Sequence, residues 1–227
     1  MSEDHQVPRD EAVDEELSPS RSRQYWNTRH GEIGDLRSGG SLAYDQATNA
    51  MLYDVRRARL IEAIGAESDP EIPLRVLDAG CGKGYFSRSL AEYGHRVDGI
   101  DTSTRAITEC RRRAIGSETY SVSSLRSWRP PYLYDAVICI DVMFHLMDDD
   151  EWLSSLQNLA VLVRLGGRLV VADHDSEEDV VWGSYQKTRA RSRYAKVLRE
   201  QGMEIVDFIR NDFKSDHVGM HVAVRVA

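Results

Sequence analysis

A chain of 227 residues with 41% apolar and 29% charged residues has ordinary globular composition and is long enough to bury one large core. No run of 18 apolar residues occurs and the acidic N-terminus has no apolar leader stretch, so neither a membrane span nor a signal peptide is legible. The formal charge of −8 is concentrated in residues 1–20, where seven carboxylates face Arg9 alone, and the remainder carries only −2, which gives a polyanionic substrate no support.

In chain order, residues 1–20 read as an acidic disordered tail. Residues 21–66 read as an N-terminal helical and lid segment. In it Tyr25 and Trp26 precede the glycine-rich stretch 31–40, and they either close over a ligand or staple the segment to the core. Ala43 to Ile64, apolar at Leu52, Val55, Leu60, Ile61 and Ile64, predicts one long helix or two, ended by Gly65 and Ser68-Asp69-Pro70. The main domain, 67–227, then opens on a short apolar strand, Val76-Leu77. A glycine cluster breaks the strand, and an apolar-periodic helix follows from Tyr85 to Tyr93. The glycines allow backbone to approach a ligand, and the helix opens with unsatisfied N–H groups.

The glycine spacing is neither G-x-G-x-x-G nor a P-loop, but Asp78-x-Gly80-x-Gly82-x-Gly84. A carboxylate two residues before the first glycine repels a pyrophosphate and suits a cationic ligand. The next strand, His95 to Ile100, ends in Asp101, which is placed to accept both hydroxyls of a ribose. A ligand with a ribose, no phosphate and an ammonium group is S-adenosylmethionine. Val76-Leu77-Asp78-Ala79-Gly80-Cys81-Gly82-Lys83-Gly84, followed by Gly99-Ile100-Asp101-Thr102-Ser103, resembles the first two motifs of the class I S-adenosylmethionine-dependent methyltransferases. The resemblance extends over roughly residues 42–227. It implies S-adenosylmethionine as cofactor, bound by Asp78, Gly80, Gly82, Gly84, Asp101 and Thr102, with Tyr25 contributed by the lid.

Thr102 or Ser103 caps a helix to about Ala114, whose Arg111, Arg112 and Arg113 complement its dipole. A third strand, Tyr120 to Val122, leads into Ser123-Ser124-Leu125. Members of the family often carry an acidic residue here for the adenine amino group. This chain offers the Ser124 hydroxyl, which can also accept that bond, and Leu125 to pack on the ring. Tyr134 to Ile140 reads as a central parallel strand, with Asp141 and Val142 just beyond it where ligands bind in open α/β sheets. Asp149 or Asp150 starts a helix to about Val163, closed by Gly166-Gly167. Arg168 to Ala172 is a fifth strand, followed by a basic helical segment from Trp182 to Gln201. Met203 to Arg210 and His217 to Val226 read as a closing antiparallel pair. The expected fold is α/β: a Rossmann-like, doubly wound seven-stranded sheet, mostly parallel with a C-terminal antiparallel hairpin.

Methyl transfer from a sulfonium requires the acceptor to be held in line and water to be excluded, and an oxygen or nitrogen acceptor must also lose a proton. Three histidines near strand ends are candidates for the base: His145, His174 and His217. His145 has a structural hydrogen bond as its alternative. His174 lies between Asp173 and Asp175, carboxylates that favour its charged form. Asp173, His174, Asp175 and His217 could instead ligate a metal, but no second carboxylate–amide pair joins Asp141, so no metal is expected. Lys187, Arg189, Arg191, Arg193, Lys196 and Arg199 read as a solvated helix face. Asp141-Val142-Met143-Phe144 lacks the Asn/Asp-Pro-Pro-aromatic signature of nucleic-acid amino methyltransferases. Three scattered cysteines, Cys81, Cys110 and Cys139, fit a reduced cytoplasmic protein. The sequence therefore predicts methylation of a small molecule, more at oxygen than at nitrogen, with no nucleic-acid or membrane partner and no legible oligomeric state. The alternative is a non-methylating binder of the same cofactor, a cyclase-like catalyst or a regulatory partner.

Overall fold

The computed structural model describes residues 18–34, 36–65, 72–214 and 218–227. Most of the acidic tail, and His217, therefore lie outside the described residues. Nine strands occur among them: β1 (Arg75–Ala79), β2 (Arg96–Asp101), β3 (Glu118–Val122), β4 (Tyr134–Ile140), β5 (Val163–His174), β6 (Val180–Trp182), β7 (Gln186–Thr188), β8 (Met203–Arg210) and β9 (Val218–Arg225). Seven form one sheet in the order β3-β2-β1-β4-β5-β9-β8. The pairs from β3 to β5 are parallel, and β9 and β8 add antiparallel at one edge. This is the expected doubly wound sheet.

Six α-helices occur among the described residues: α1 (Pro19–Glu32) and α2 (Gln46–Ile64) ahead of β1, and α3 (Tyr85–Glu92), α4 (Thr104–Arg113), α5 (Asp149–Val161) and α6 (Arg191–Glu200) between strands. Strand alternation sorts the core onto two faces. From β4, Val137 and Cys139 pack with Trp152 and Leu156 of α5 and Tyr194 of α6, while Ala136, Ile138 and Ile140 pack with Leu60 of α2 and Leu90 of α3. Helix ends follow side-chain chemistry. Asp45 accepts the Thr48 N–H at 2.7 Å to start α2, and Gly65 ends it at φ 69°. The cap of α5 is Asp148, one residue before the expected start, because its carboxylate takes the Glu151 N–H at 2.7 Å.

One element is sharpened and one expectation is corrected. Within the N-terminal helical and lid segment, Pro19–Glu32 form a helix whose bounds the sequence did not give. Its surface is polar almost all round, and its stability comes from docking: the Asn27 side-chain oxygen accepts from the Ser103 hydroxyl at 3.1 Å and from the Arg105 N–H at 3.2 Å, so α1 caps α4 across the chain. The basic helix from Trp182 is wrong in its first half. Val180-Val181-Trp182 and Gln186–Thr188 pair as a hairpin, and only Arg191–Glu200 is helical. Nor do all its cations form a solvated face. Arg189 is fully buried, donating to Asp149 at 2.9 Å and to the Met147 carbonyl at 3.0 Å, with Lys187 on the same carboxylate at 2.9 Å. Burial alone would push Asp149 up, but hydrogen bonds from Lys187 and Arg189 bring it down to about 2. Among the described residues no helix is long and apolar enough to cross a membrane.

Candidate active site

The chain runs outward from β1 to β3 and then crosses back to lay β4 beside β1. This reversal leaves a crevice at the carboxyl ends of β1 and β4. A cavity of about 400 Å³ fills the crevice. Gly80 stands at its base with φ 81°, and a Cβ there would overlap Val142, so only glycine lets the β1 turn pass under the β4 loop.

The loop lies close to its carboxylates. Asp101 accepts the Gly82 N–H at 3.0 Å and the Ser103 N–H at 2.7 Å, so the end of β2 and the glycine loop hold one another. Asp78 is buried and takes the Ser87 hydroxyl at 2.5 Å; burial pushes it up to about 6, against the pull of that bond. Burial likewise raises Asp101. Asp141, at the end of β4, has φ 60° and is held by a buried ion pair with Arg56 of α2. Four carboxylates, Asp78, Asp101, Asp141 and Glu151, line the cavity together with Arg23, Lys83, Arg88 and Arg113, so a ligand there meets charges of both signs and a set of acceptors suited to hydroxyls and amines.

Of the residues expected at the cofactor, Asp78, Gly80, Gly82, Asp101, Thr102, Ser124, Leu125, Asp141 and Val142 line this cavity. Gly84 does not. It caps α3 at φ 74°, where its Cβ position would lie 2.9 Å from the Cys110 sulfur. Tyr25 also does not: its hydroxyl accepts from Arg29 at 3.2 Å on another face of α1. Trp26 and His30, one turn apart, face the cavity instead. That i, i+4 pair was the available signal, overlooked because α1 has no apolar stripe. The sequence reading also missed Tyr53 and Leu146 on the cavity wall.

The histidines separate. His145 lines the cavity, its ring 4.7 Å from Trp26 between centroids, and its Nδ1 lies 3.0 Å from the Tyr185 carbonyl. His174 points elsewhere, with Nδ1 3.0 Å from the Thr188 hydroxyl and its ring near Trp182. Asp173 beside it is fully buried and is taken up by the Tyr194 hydroxyl at 2.6 Å. No group of three metal-ligating side chains is assembled among the described residues.

Burial lowers His145 to about 4, and burial with the nearby Lys83 and Arg29 charges lowers His30 to about 4. Both are therefore folded as neutral rings, and acid favours the unfolded chain once its free imidazoles begin to protonate near pH 6.5. The raised Asp78 has the opposite sign, but it acts only from about pH 6 downward. Stability should fall by about 1 kcal/mol between pH 7 and 6, read as a drop in Tm. A Tm equal at the two pH values would contradict the neutral assignment.

Residues 76–167 match a family model described as a methyltransferase domain. The match spans β1 to the start of β5 and includes the glycine loop and the β1/β4 crevice, so residues 76–167 carry a methyltransferase domain on a seven-stranded doubly wound sheet. Among curated proteins, it is 36% identical over 125 residues to the ubiquinone biosynthesis O-methyltransferase of Nitrosomonas europaea, covering 51% of this chain and 50% of that one. The enzyme of the same name from Vibrio cholerae is 34% identical over 100 residues, covering 42% and 40%. The chain thus matches half or less of the length of these relatives. Among solved structures, magnesium protoporphyrin IX methyltransferase from Synechocystis with bound S-adenosylmethionine superposes with a TM-score of 0.72 at 24% identity, covering 91% of this chain and 96% of that one. The 1,6-didemethyltoxoflavin-N1-methyltransferase of Burkholderia thailandensis gives 0.66 at 19% identity, covering 95% and 94%. At these identities the likeness is one of fold.

Proposed function

We propose that this protein is an S-adenosylmethionine-dependent methyltransferase acting on a small-molecule acceptor at oxygen, with His145 as the base. The observation that carries the reading is the setting of His145 in the cavity wall. A carbonyl only accepts, so the Tyr185 oxygen fixes the proton on Nδ1 and leaves the Nε2 lone pair for an acceptor hydroxyl. The oxygen assignment is also supported by the names of the curated relatives.

The residues fit the cofactor. Asp101 would accept from ribose hydroxyls, Leu125 and Val142 would pack on an adenine ring, and Asp78 with Asp141 would face the positively charged end; all five line the cavity. When bound, S-adenosylmethionine supplies an electrophilic methyl on a sulfonium. The protein's part is to hold the acceptor in line, exclude water beneath Trp26 and take the hydroxyl proton on Nε2 of His145. With the cofactor bound, transfer would form the acceptor's O–C bond as the C–S bond breaks, leaving that electron pair on sulfur, while His145 holds the acceptor's proton. Positive charge passes from sulfur to the imidazole, so the cavity's net charge is unchanged. Calorimetric titration with S-adenosylhomocysteine tests the cofactor. Asp101→Ala should weaken binding by about 1–3 kcal/mol through loss of charged hydrogen bonds. An affinity equal to wild type would remove Asp101 from the ribose.

A further inference from the structure

The first turn of α5 carries Asp148-x-x-Glu151, the pattern of a reciprocal capping box. Only half of it forms. Asp148 takes the Glu151 N–H, while the Glu151 carboxylate makes no return hydrogen bond among the described residues and lines the cavity instead. Ser155, one turn on, lines it too and is buried. Asn158, on the same face of α5, donates to the Leu125 carbonyl at 2.6 Å and so ties this helix to the loop after β3. Burial raises Glu151 above the ordinary carboxylate value, against the opposing charges of Arg126, next to Leu125, and of Arg23 on α1. Leu125, Val142 and Leu146 belong to one apolar cluster, and the same cavity is lined by them, by the Glu151 carboxylate and by the Ser124 hydroxyl. Ser124 is itself bonded to Ser127 at 2.6 Å.

Apolar side chains and an acceptor-only carboxylate on one cavity wall suit a heteroaromatic ring that presents N–H donors. We infer that Glu151 is the specificity-determining residue for the purine, accepting from the exocyclic 6-amino group. This inference rests on the cofactor reading above. At neutral pH the carboxylate accepts from an amine and repels the lone pairs of a 6-oxo group, so it discriminates between the two purines by sign as well as by fit.

The test is titration of the full chain with S-adenosylhomocysteine and with S-inosylhomocysteine, which carries oxygen in place of the 6-amino group. Wild type should prefer the amino form by about tenfold or more, the scale of one hydrogen bond to a charged group. Glu151→Ala should close that gap from both sides, by weakening the amino form and by relieving the repulsion of the inosyl form. Glu151→Gln, nearly isosteric and able to turn its NH2 toward a 6-oxo group, should move the preference toward the inosyl ligand. If both variants bind the two ligands with the wild-type ratio, the assignment is overturned, whatever happens to stability. If wild type binds neither ligand, the cofactor reading itself fails and takes this one with it.

Discussion

His145→Gln should lower kcat by about 10²–10⁴ while leaving the affinity for S-adenosylhomocysteine at the wild-type value. Gln keeps a donor for the Tyr185 carbonyl, so the packing against Trp26 survives, but it has no basic lone pair for the acceptor's proton. The measurement is release of S-adenosylhomocysteine with an acceptor drawn from a screen of hydroxylated small molecules. A base near 4 also has a kinetic signature. His145 is already neutral at every pH from 6 to 8, so kcat should be flat across that range instead of falling with a midpoint near 6.5. A variant with full kcat, or a wild-type profile that halves near pH 6.5, would remove His145 as the base.

The largest effect on stability should come from Arg56→Met. Arg56 is buried and pairs across 85 residues of sequence with Asp141, which itself sits at φ 60° on the cavity wall. Removing Arg56 takes a buried counter-charge away from Asp141, at about 3 kcal/mol, or roughly 6–12 °C in Tm for a domain of this size. Adding Asp141→Gly should return part of the loss, because glycine needs no counter-charge and adopts a left-handed conformation without strain. An unchanged Tm in the single variant would mean that the pair contributes nothing net. If the double variant is no more stable than the single, the strain account fails.

The elements legible in the sequence are those whose signals are local. Val76-Leu77 before three alternating glycines, Asp101 at the tip of the next strand, and the apolar run 134–140 each announce their structure within a few residues, and the order of such units dictates a doubly wound sheet. The nine loop and strand-end positions that meet in the cavity were legible for the same reason: they lie at the carboxyl ends of strands, and parallel strands bring those ends together. A helix held by another helix has no such signal. Nothing within Pro19–Glu32 shows that Asn27 will cap α4, and without that docking there is no telling that Trp26, and not Tyr25, turns inward.

The same reason separates the histidines and the arginines. By sequence, His145 and His174 occupy equivalent places after neighbouring strands; the Tyr185 carbonyl on one and the Thr188 hydroxyl on the other come from the hairpin β6–β7 and its turn, an element with short, ambiguous strands. Arg189 reads as one more charge on a solvated face until Asp149, 40 residues earlier, buries it. Local pattern alone thus determined the sheet and the glycine-loop crevice of this protein. Its tertiary structure decided which polar side chains face that crevice, because the energy that buries a polar group comes from partners distant in sequence.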